Sequence, residues 1–329
     1  MRPFEYASPT GRDQVTGLLG PQWGPNAILA GGTDLLPLIK DEVVTPNRLV
    51  NIKQVEELHG VKHIPGAVLI GATTLIQDVA DSALIQKDYP ALARACSEAA
   101  SPQIRNQATM GGNLCQRPRC WYFRNGFGLL AMKDGKSLVT AGDNRYHAIL
   151  GNHGPAKFVS PSSIAPIMIA YGASVLMYGK GKHRSVALEK FFRTPEKEGE
   201  REYDLASDEL VLGIILPGKP GAGVIKSAVY EVRQRRTFDW PLATAAVVLA
   251  MAGDKIEAAR VVMGHVAPVP WPSLEAGEVL RGQPLNPETA AAAADAAVAK
   301  ATPLSHNAYK VQLARVAVKR ALLELAGAQ

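Results

Sequence analysis

Cysteine is scarce: Cys96, Cys115 and Cys120 are the only three in 329 residues. So few thiols exclude a disulfide framework and read as reduced cysteines. Cys96 lies in an alanine-rich helical stretch, where buried filler is expected, whereas Cys115 and Cys120 bracket a polar, arginine-rich loop. Long apolar runs are missing too. Nothing approaches the roughly 18 residues of a membrane-spanning helix, and Met1-Arg2-Pro3-Phe4-Glu5-Tyr6 lacks the apolar core of a secretory signal. A cytoplasmic protein is expected, periplasmic only if a partner carries it there. The seven histidines show no H-E-x-x-H pattern or short ligand spacing, so no metal ligands are assigned. A site combining Cys115 and Cys120 with His147 or His153 stands only as a minor alternative. Net charge is +6 with a pI near 9.2, yet the positives are scattered and densest at Arg233-Gln234-Arg235-Arg236. Without a basic helix interleaved with aromatics or a C-x-x-C finger, nucleic acid is not the expected partner. A solvated basic surface or an acidic protein is.

What is present suggests three segments. Residues 1–55 alternate short strands (Phe4–Tyr6, Ala27–Ala30, Arg48–Ile52) with helical spacing at Asp13–Leu19 and Leu35–Ile39, the pattern of a small α/β layer. From residue 56 to 220, strands are predicted at Val68–Ala72, Ala173–Tyr178, Arg184–Val186 and Glu209–Leu216. Helices are expected from Leu75, at Tyr89–Ala95 and at Pro161–Tyr171, with a glycine-rich turn at Thr109–Leu114. Pro217–Gly223 reads as a linker. Residues 221–329 then offer strands at Ser227–Val232, Thr244–Met251 and Glu257–Met263, and two alanine-rich helices at Pro287–Ala301 and Asn307–Leu325. Thr244–Met251 is equally compatible with a helix. An antiparallel sheet covered by helices, an α+β arrangement, is the simplest reading. The final helix, with Val311, Leu313, Ala314, Val316, Ala317, Ala321 and Leu322, is expected in the core.

Two glycine pairs carry the chemistry: Gly31-Gly32 and Gly111-Gly112. Glycine lets backbone approach a ligand closely, so that N–H groups converge on an anion. Thr33 and Thr109 add hydroxyls. Neither segment is G-x-G-x-x-G or G-x-x-x-x-G-K-[ST], which disfavours Rossmann and Walker sites. Two opposed turns suit the two anionic groups of a pyrophosphate; ordinary tight turns remain the alternative.

Together, Ala30-Gly31-Gly32-Thr33-Asp34-Leu35-Leu36 and Thr109-Met110-Gly111-Gly112-Asn113 resemble the FAD-binding signatures of the medium subunit of xanthine dehydrogenase-like molybdenum hydroxylases. The resemblance continues through Cys115–Arg124, Gly142–Ile149, Gly264–Pro268 and Asn307–Val311, nearly the whole chain. It implies a two-lobed FAD-binding domain of the vanillyl-alcohol-oxidase (PCMH) type over residues 1–220, with lobes of about 1–55 and 56–220. A CO-dehydrogenase-flavoprotein-like α+β domain would follow over 221–329. It further implies that Leu29, Ala30, Gly31, Gly32, Thr33, Asp34, Leu35 and Leu36 wrap the FAD pyrophosphate, with Thr109, Gly111, Gly112 and Asn113 completing the cradle. Asp34, which would repel phosphate, is expected to cap the helix after it. Ser163 and Ile164 would meet the flavin side. Family members commonly read His-Pro-Ser-Asp where this chain has Ser160-Pro161-Ser162-Ser163, so a serine replaces the aspartate. For Arg233, Arg235, Arg236 and Asp239 a surface ion-pair cluster is expected; the alternative places Phe238 or Trp240 near the isoalloxazine.

The resemblance also carries an expected loss. Relatives with this cysteine-arginine loop often hold a 4Fe–4S cluster, which needs four thiolates. Matching the loop to that pattern puts one ligand at Cys120 and the others near Leu129, Ser137 and Ala156, none of which is a thiol. FAD without a 4Fe–4S cluster is expected, and no side chain acts as acid or base. By the same resemblance, a large molybdopterin subunit and a small subunit with two 2Fe–2S clusters complete a heterotrimer or a dimer of heterotrimers. Electrons would pass through FAD to NAD, a quinone or oxygen. A free-standing FAD oxidoreductase or a non-catalytic flavin-binding module is the rival reading.

Overall fold

The computed structural model describes residues 1–218, 224–235 and 239–327. Its first layer is a parallel sheet in which Arg48–Asn51 pairs with Glu5–Ala7 on one side and Asn26–Leu29 on the other. Parallel neighbours need crossover connections, and the helices Arg12–Leu18 and Leu35–Lys40 lie in them. Val15, Val50, Ile52, Val55 and Leu58 pack this layer against Tyr178, Leu210 and Leu212.

Those last three residues belong to a five-stranded antiparallel sheet, ordered Val61–Ile64, Ala67–Gly71, Leu210–Pro217, Ser174–Gly179, Lys182–Ala187. The central strand arrives from far along the chain, and the intervening residues build helices over one face. Proline begins two of these, at Pro90 and Pro102, where its missing N–H would be unpaired anyway. Ser101 caps the second by accepting from the Ile104 N–H at 3.3 Å. Cys96 is fully buried in the core beneath them.

The turn expected at Thr109–Leu114 is instead a helix, Met110–Cys115, with the Thr109 hydroxyl accepting from the Gly112 N–H at 3.2 Å. Two glycines in six residues conceal a helix from propensity, at about 1 kcal/mol each against alanine. Packing explains one of them. A Cβ on Gly111 would stand 2.9 Å from Ala72 Cβ, so only glycine lets this helix sit on the end of the Ala67–Gly71 strand.

The last part is an antiparallel sheet ordered Val224–Val232, Ala243–Ala252, Lys255–Gly264, Trp271–Pro272. Helices Pro287–Val298 and Tyr309–Ala326 cover it as expected, and a helix at Leu274–Leu280 was not foreseen. Ala243–Ala252 is a strand. Ala245, Val247 and Leu249 face the terminal helices, whereas Ala246 joins the core beneath the middle helices. Within the final helix, Ala314, Ala317, Val318, Ala321 and Leu322 are buried at the spacing of one helical face. Residues 144–152 are clasped to the segment before that helix: Asn307 Nδ2 donates to the His147 carbonyl at 3.1 Å, and Thr302 Oγ1 to Asn152 Oδ1 at 2.6 Å. From residue 219 on, the expected linker lies outside the described residues, as do Arg236 and Phe238.

Candidate functional site

The first glycine segment leaves the Asn26–Leu29 strand and enters the Leu35–Lys40 helix. Gly32 turns the chain with φ of 74°, a left-handed value that glycine adopts without steric cost. Gly31 serves close approach instead. A Cβ there would fall 2.1 Å from the carbonyl oxygen of Gln107, and Gln107 Nε2 donates to the Gly31 carbonyl at 3.2 Å. The two glycine segments therefore meet backbone to backbone, 76 residues apart in sequence.

Hydrogen-bond accounting separates them. From Gly31 to Leu35, no backbone N–H donates to any partner among the described residues. In the second segment the N–H groups from Met110 to Asn113 are all taken: Met110 donates to Thr74 O at 2.9 Å, Gly111 to Ala72 O at 2.8 Å and Asn113 to Thr109 O at 2.8 Å, beside the Gly112 cap. The expected pair of opposed donor turns is thus one donor turn and one rigid shelf. The shelf still offers side chains. Asn113 Oδ1 accepts from Ser162 Oγ at 2.6 Å, which draws the Ser160–Ser163 segment against it.

All the residues assigned from the sequence except Leu29, Leu36 and Ile164 line one cavity of about 310 Å³. Leu29 and Leu36 fold over Gly32, and Ile164 is fully buried in the core. Ser163 lines the cavity and bonds Glu231, whose carboxyl is pushed up by burial while Arg233 pulls it back. Of the remaining walls, only Trp240 carried a sequence signal, as a candidate neighbour of the isoalloxazine. Trp23 and Tyr203 meet edge to face at 6.3 Å, and the Arg201 guanidinium lies 4.4 Å over the Trp23 ring. Burial holds Arg201 below its ordinary value against the pull of Tyr203 and Glu202, and it forms no ion pair among the described residues. Trp240 completes the lining.

Asp34 corrects an expectation. It occupies the N-cap position, yet its side chain makes no cap bond. The carboxylate accepts from the Arg117 backbone N–H at 2.7 Å and pairs with Arg119 at 2.9 Å and Arg124 at 2.8 Å. Turned into this loop, it is kept from repelling an anion at the Gly31–Leu35 backbone. Arg117 anchors the same loop to Glu202 at 2.5 Å. Asp34→Asn should therefore loosen residues 115–124 and cost about 2–3 kcal/mol, since partly buried guanidinium groups lose their counter-charge. Urea denaturation with Asp34→Asn and a control, Glu5→Gln, at an exposed pair with Arg48, measures it; equal losses would remove this role.

The arginine-rich loop is packed with hydrocarbon. Leu129 and Ala156 join Leu38, Phe123, Leu130 and Phe158 in an apolar cluster that Cys120 borders. Burial pushes the Cys115 thiol up to about 12 and raises Cys120 as well, so both stay protonated. Cys120 Sγ lies 3.2 Å from His147 Nε2. Among the described residues, no group of three or more histidine, cysteine or acidic side chains is arranged to hold a metal ion.

Residues 2–219 match the family profile of the FAD binding domain in molybdopterin dehydrogenase, and residues 228–325 that of the CO dehydrogenase flavoprotein C-terminal domain. The chain is 32% identical over 311 residues to the aldehyde oxidoreductase FAD-binding subunit PaoB of Escherichia coli (strain K12), covering 90% of each. It is 30% identical over 324 residues to the carbon monoxide dehydrogenase medium chain of Hydrogenophaga pseudoflava, covering 97% of this chain and 96% of that one. Its fold matches a chain of carbon monoxide dehydrogenase from Hydrogenophaga pseudoflava lacking the Mo-pyranopterin moiety, with a TM-score of 0.77 at 26% identity over 99% of both. With both profiles matched in order and relatives aligned end to end, the chain belongs to the FAD-binding medium subunits of the molybdenum hydroxylases, the family of CO dehydrogenase, aldehyde oxidoreductase and xanthine dehydrogenase.

Proposed function

We propose that this chain seats the FAD pyrophosphate on the Gly31–Leu35 backbone and relays electrons from the 2Fe–2S clusters of a small subunit to an external acceptor. A large molybdopterin subunit would oxidise the substrate, and the three chains would form a heterotrimer or a dimer of heterotrimers. The run of unclaimed N–H groups on residues that line the cavity carries the reading. Consecutive donors of this kind form an anion nest. Arg201, which forms no ion pair among the described residues, supplies charge for the second phosphate, and the Thr109 hydroxyl keeps its proton to donate after accepting from Gly112. Trp23, Tyr203 and Trp240 offer ring faces to the flat ends of a dinucleotide.

When bound, FAD supplies the junction between one-electron and two-electron carriers. The residues of this chain hold, orient and shield it; none is placed to move a proton in substrate oxidation. Electron delivery alone is the part assigned here. Domains of 1–220 and 221–329 suit this task, because Trp240 from the second reaches the cavity built by the first. We place the complex in the cytoplasm, where its three free thiols stay reduced.

Purification with the natural partners tests the proposal. Flavin absorbance, molybdenum and about four irons per trimer are expected, the four belonging to the two 2Fe–2S clusters. Flavin on the chain with no molybdenum partner in any preparation would favour a free-standing flavoprotein. About eight irons would show that a 4Fe–4S cluster resides here after all. A chain that takes up no FAD would sink the whole reading.

A further inference from the structure

Behind the cavity wall at Ser163 lies a buried ion pair from the later part of the chain. Strand Val224–Val232 carries Glu231 up to Ser163, which lines the cavity, and the Ser163 hydroxyl bonds the carboxylate. Arg233 pairs with the same carboxylate and donates from Nη2 to the Glu98 carbonyl at 2.9 Å. Glu98 ends the Pro90–Glu98 helix, where carbonyls lack helical partners. The side chains of Glu231 and Arg233 are only 7% and 10% exposed. A pair so buried does little for stability, because desolvation offsets much of its attraction. A carboxylate kept one hydrogen bond behind a cavity wall calls for another task.

That task follows from where the protons go. Ser162 Oγ accepts from the Ala165 N–H at 2.9 Å, so its own proton goes to Asn113 Oδ1 at 2.6 Å. The Asn113 amide is thereby oriented: its oxygen is taken, and Nδ2 has no partner among the described residues. Ser163 is committed in the opposite sense. A hydroxyl has one proton, and the Glu231 carboxylate, paired with Arg233, takes it. Ser163 keeps only acceptor sites. Arg119 Nε, buried and without a partner among the described residues, adds a second donor to the cavity. Two donors and one acceptor complement the pyrimidine edge of an isoalloxazine, in which two carbonyl oxygens flank N3–H. The adenine edge, an amino group beside ring nitrogens, is the competing fit.

We propose that Glu231 is a positioning residue for the flavin: by taking the Ser163 proton it leaves Ser163 Oγ to accept from the flavin N3–H, and its charge lowers the reduction potential of the ring. Reduction adds electron density to the isoalloxazine, and a buried carboxylate one hydrogen bond away opposes it across a medium that screens poorly. Arg233, tied to the Glu98 carbonyl, holds the carboxylate in place and offsets part of that charge. The inference rests on the proposed FAD site, and it says which edge of the cofactor meets Ser163.

The test titrates the full chain, stripped of flavin, with FAD, with N3-methyl-FAD and with etheno-FAD, whose adenine edge is blocked. N3-methyl-FAD should bind about tenfold or more weakly than FAD, and etheno-FAD as FAD does. Ser163→Ala should remove the difference between FAD and its N3-methyl analogue. Glu231→Gln keeps an acceptor for Ser163 but removes the charge. On the FAD-loaded chain it should raise the flavin midpoint potential by about 30 mV or more, a tenfold shift in the two-electron reduction equilibrium. Glu189→Gln, at an exposed pair with Arg260, is the control and should leave the potential unmoved. If Glu231→Gln does not fold, the three titrations of the wild type and Ser163→Ala decide. Equal binding of N3-methyl-FAD and FAD to the wild type, weakening confined to etheno-FAD, or a Glu231→Gln potential no different from that of Glu189→Gln would overturn the proposal while leaving the cofactor site standing. A chain that binds none of the three flavins would defeat the cofactor site, and this inference with it.

Discussion

Gly31→Ala is expected to yield a folded chain purified nearly free of flavin, with FAD affinity reduced about a hundredfold or more, roughly 2.7 kcal/mol. The added Cβ would stand 2.1 Å from the Gln107 carbonyl oxygen and 3.0 Å from Ala108 Cα. Both obstacles are backbone, so no rotamer change relieves them. The two segments must separate, at the 1–3 kcal/mol or more typical of overpacking, and the unclaimed N–H groups leave their common direction. Gly17→Ala is the control. It lies inside the Arg12–Leu18 helix with nothing within 4 Å of its would-be Cβ, and should bind FAD normally while gaining up to about 1 kcal/mol in stability. The flavin-to-protein ratio and the urea midpoint measure both. Stoichiometric FAD on Gly31→Ala would show that the backbone contact does not shape the site.

Acid should destabilise the protein well before its carboxylates titrate. His147 and His265 are held down to about 4 and about 3, chiefly by burial, against about 6.5 in an unfolded chain. As pH falls through 6.5 the unfolded chain binds protons that the folded one refuses. The stability from keeping these rings neutral is thus complete above about 6.5 and is lost as pH falls toward 4 and below. Each histidine is expected to cost about 2 kcal/mol between pH 7 and pH 5, about 4 kcal/mol together. His265→Asn suits the left-handed backbone and should remove about one proton from the pH dependence of urea unfolding over that range. An unchanged slope would mean that the ring already carries its proton in the fold.

The sequence revealed more of the frame than of the walls. Period-two and helical patterns located most strands and the terminal helices, because those elements bury one face each. Ala243–Ala252 hid its identity since both its faces are buried, which erases alternation, and alanine favours neither state strongly enough to decide. The Leu274–Leu280 helix carries a glycine and only two turns of pattern. At the site, the glycine pairs were legible because their backbone geometry demands that residue type. Which pair keeps free donors was not, since Gly111 and Gly112 lose theirs to Ala72 and Thr109. Asp34 looked like a cap by position alone; its arginine partners stand 85 and 90 residues away. Trp23, Arg201 and Trp240 come from segments with no shared motif, and only folding brings them to one cavity.

Burial lowers Lys310 to about 7, and below that pH it acts as a tethered ion. Its ammonium sits among three carbonyl oxygens at 2.7, 3.1 and 3.3 Å, much as a bound monovalent cation would. Being covalently attached, it has no dissociation constant and cannot be exchanged for sodium or potassium. Shielded from solvent, it is also little screened by salt. The clasp between the terminal helix and the Tyr146–His147 segment should therefore hold at any ionic strength, whereas exposed pairs such as Arg48 with Glu5 weaken as salt rises. Dilution and desalting would leave this clasp as firm as they found it.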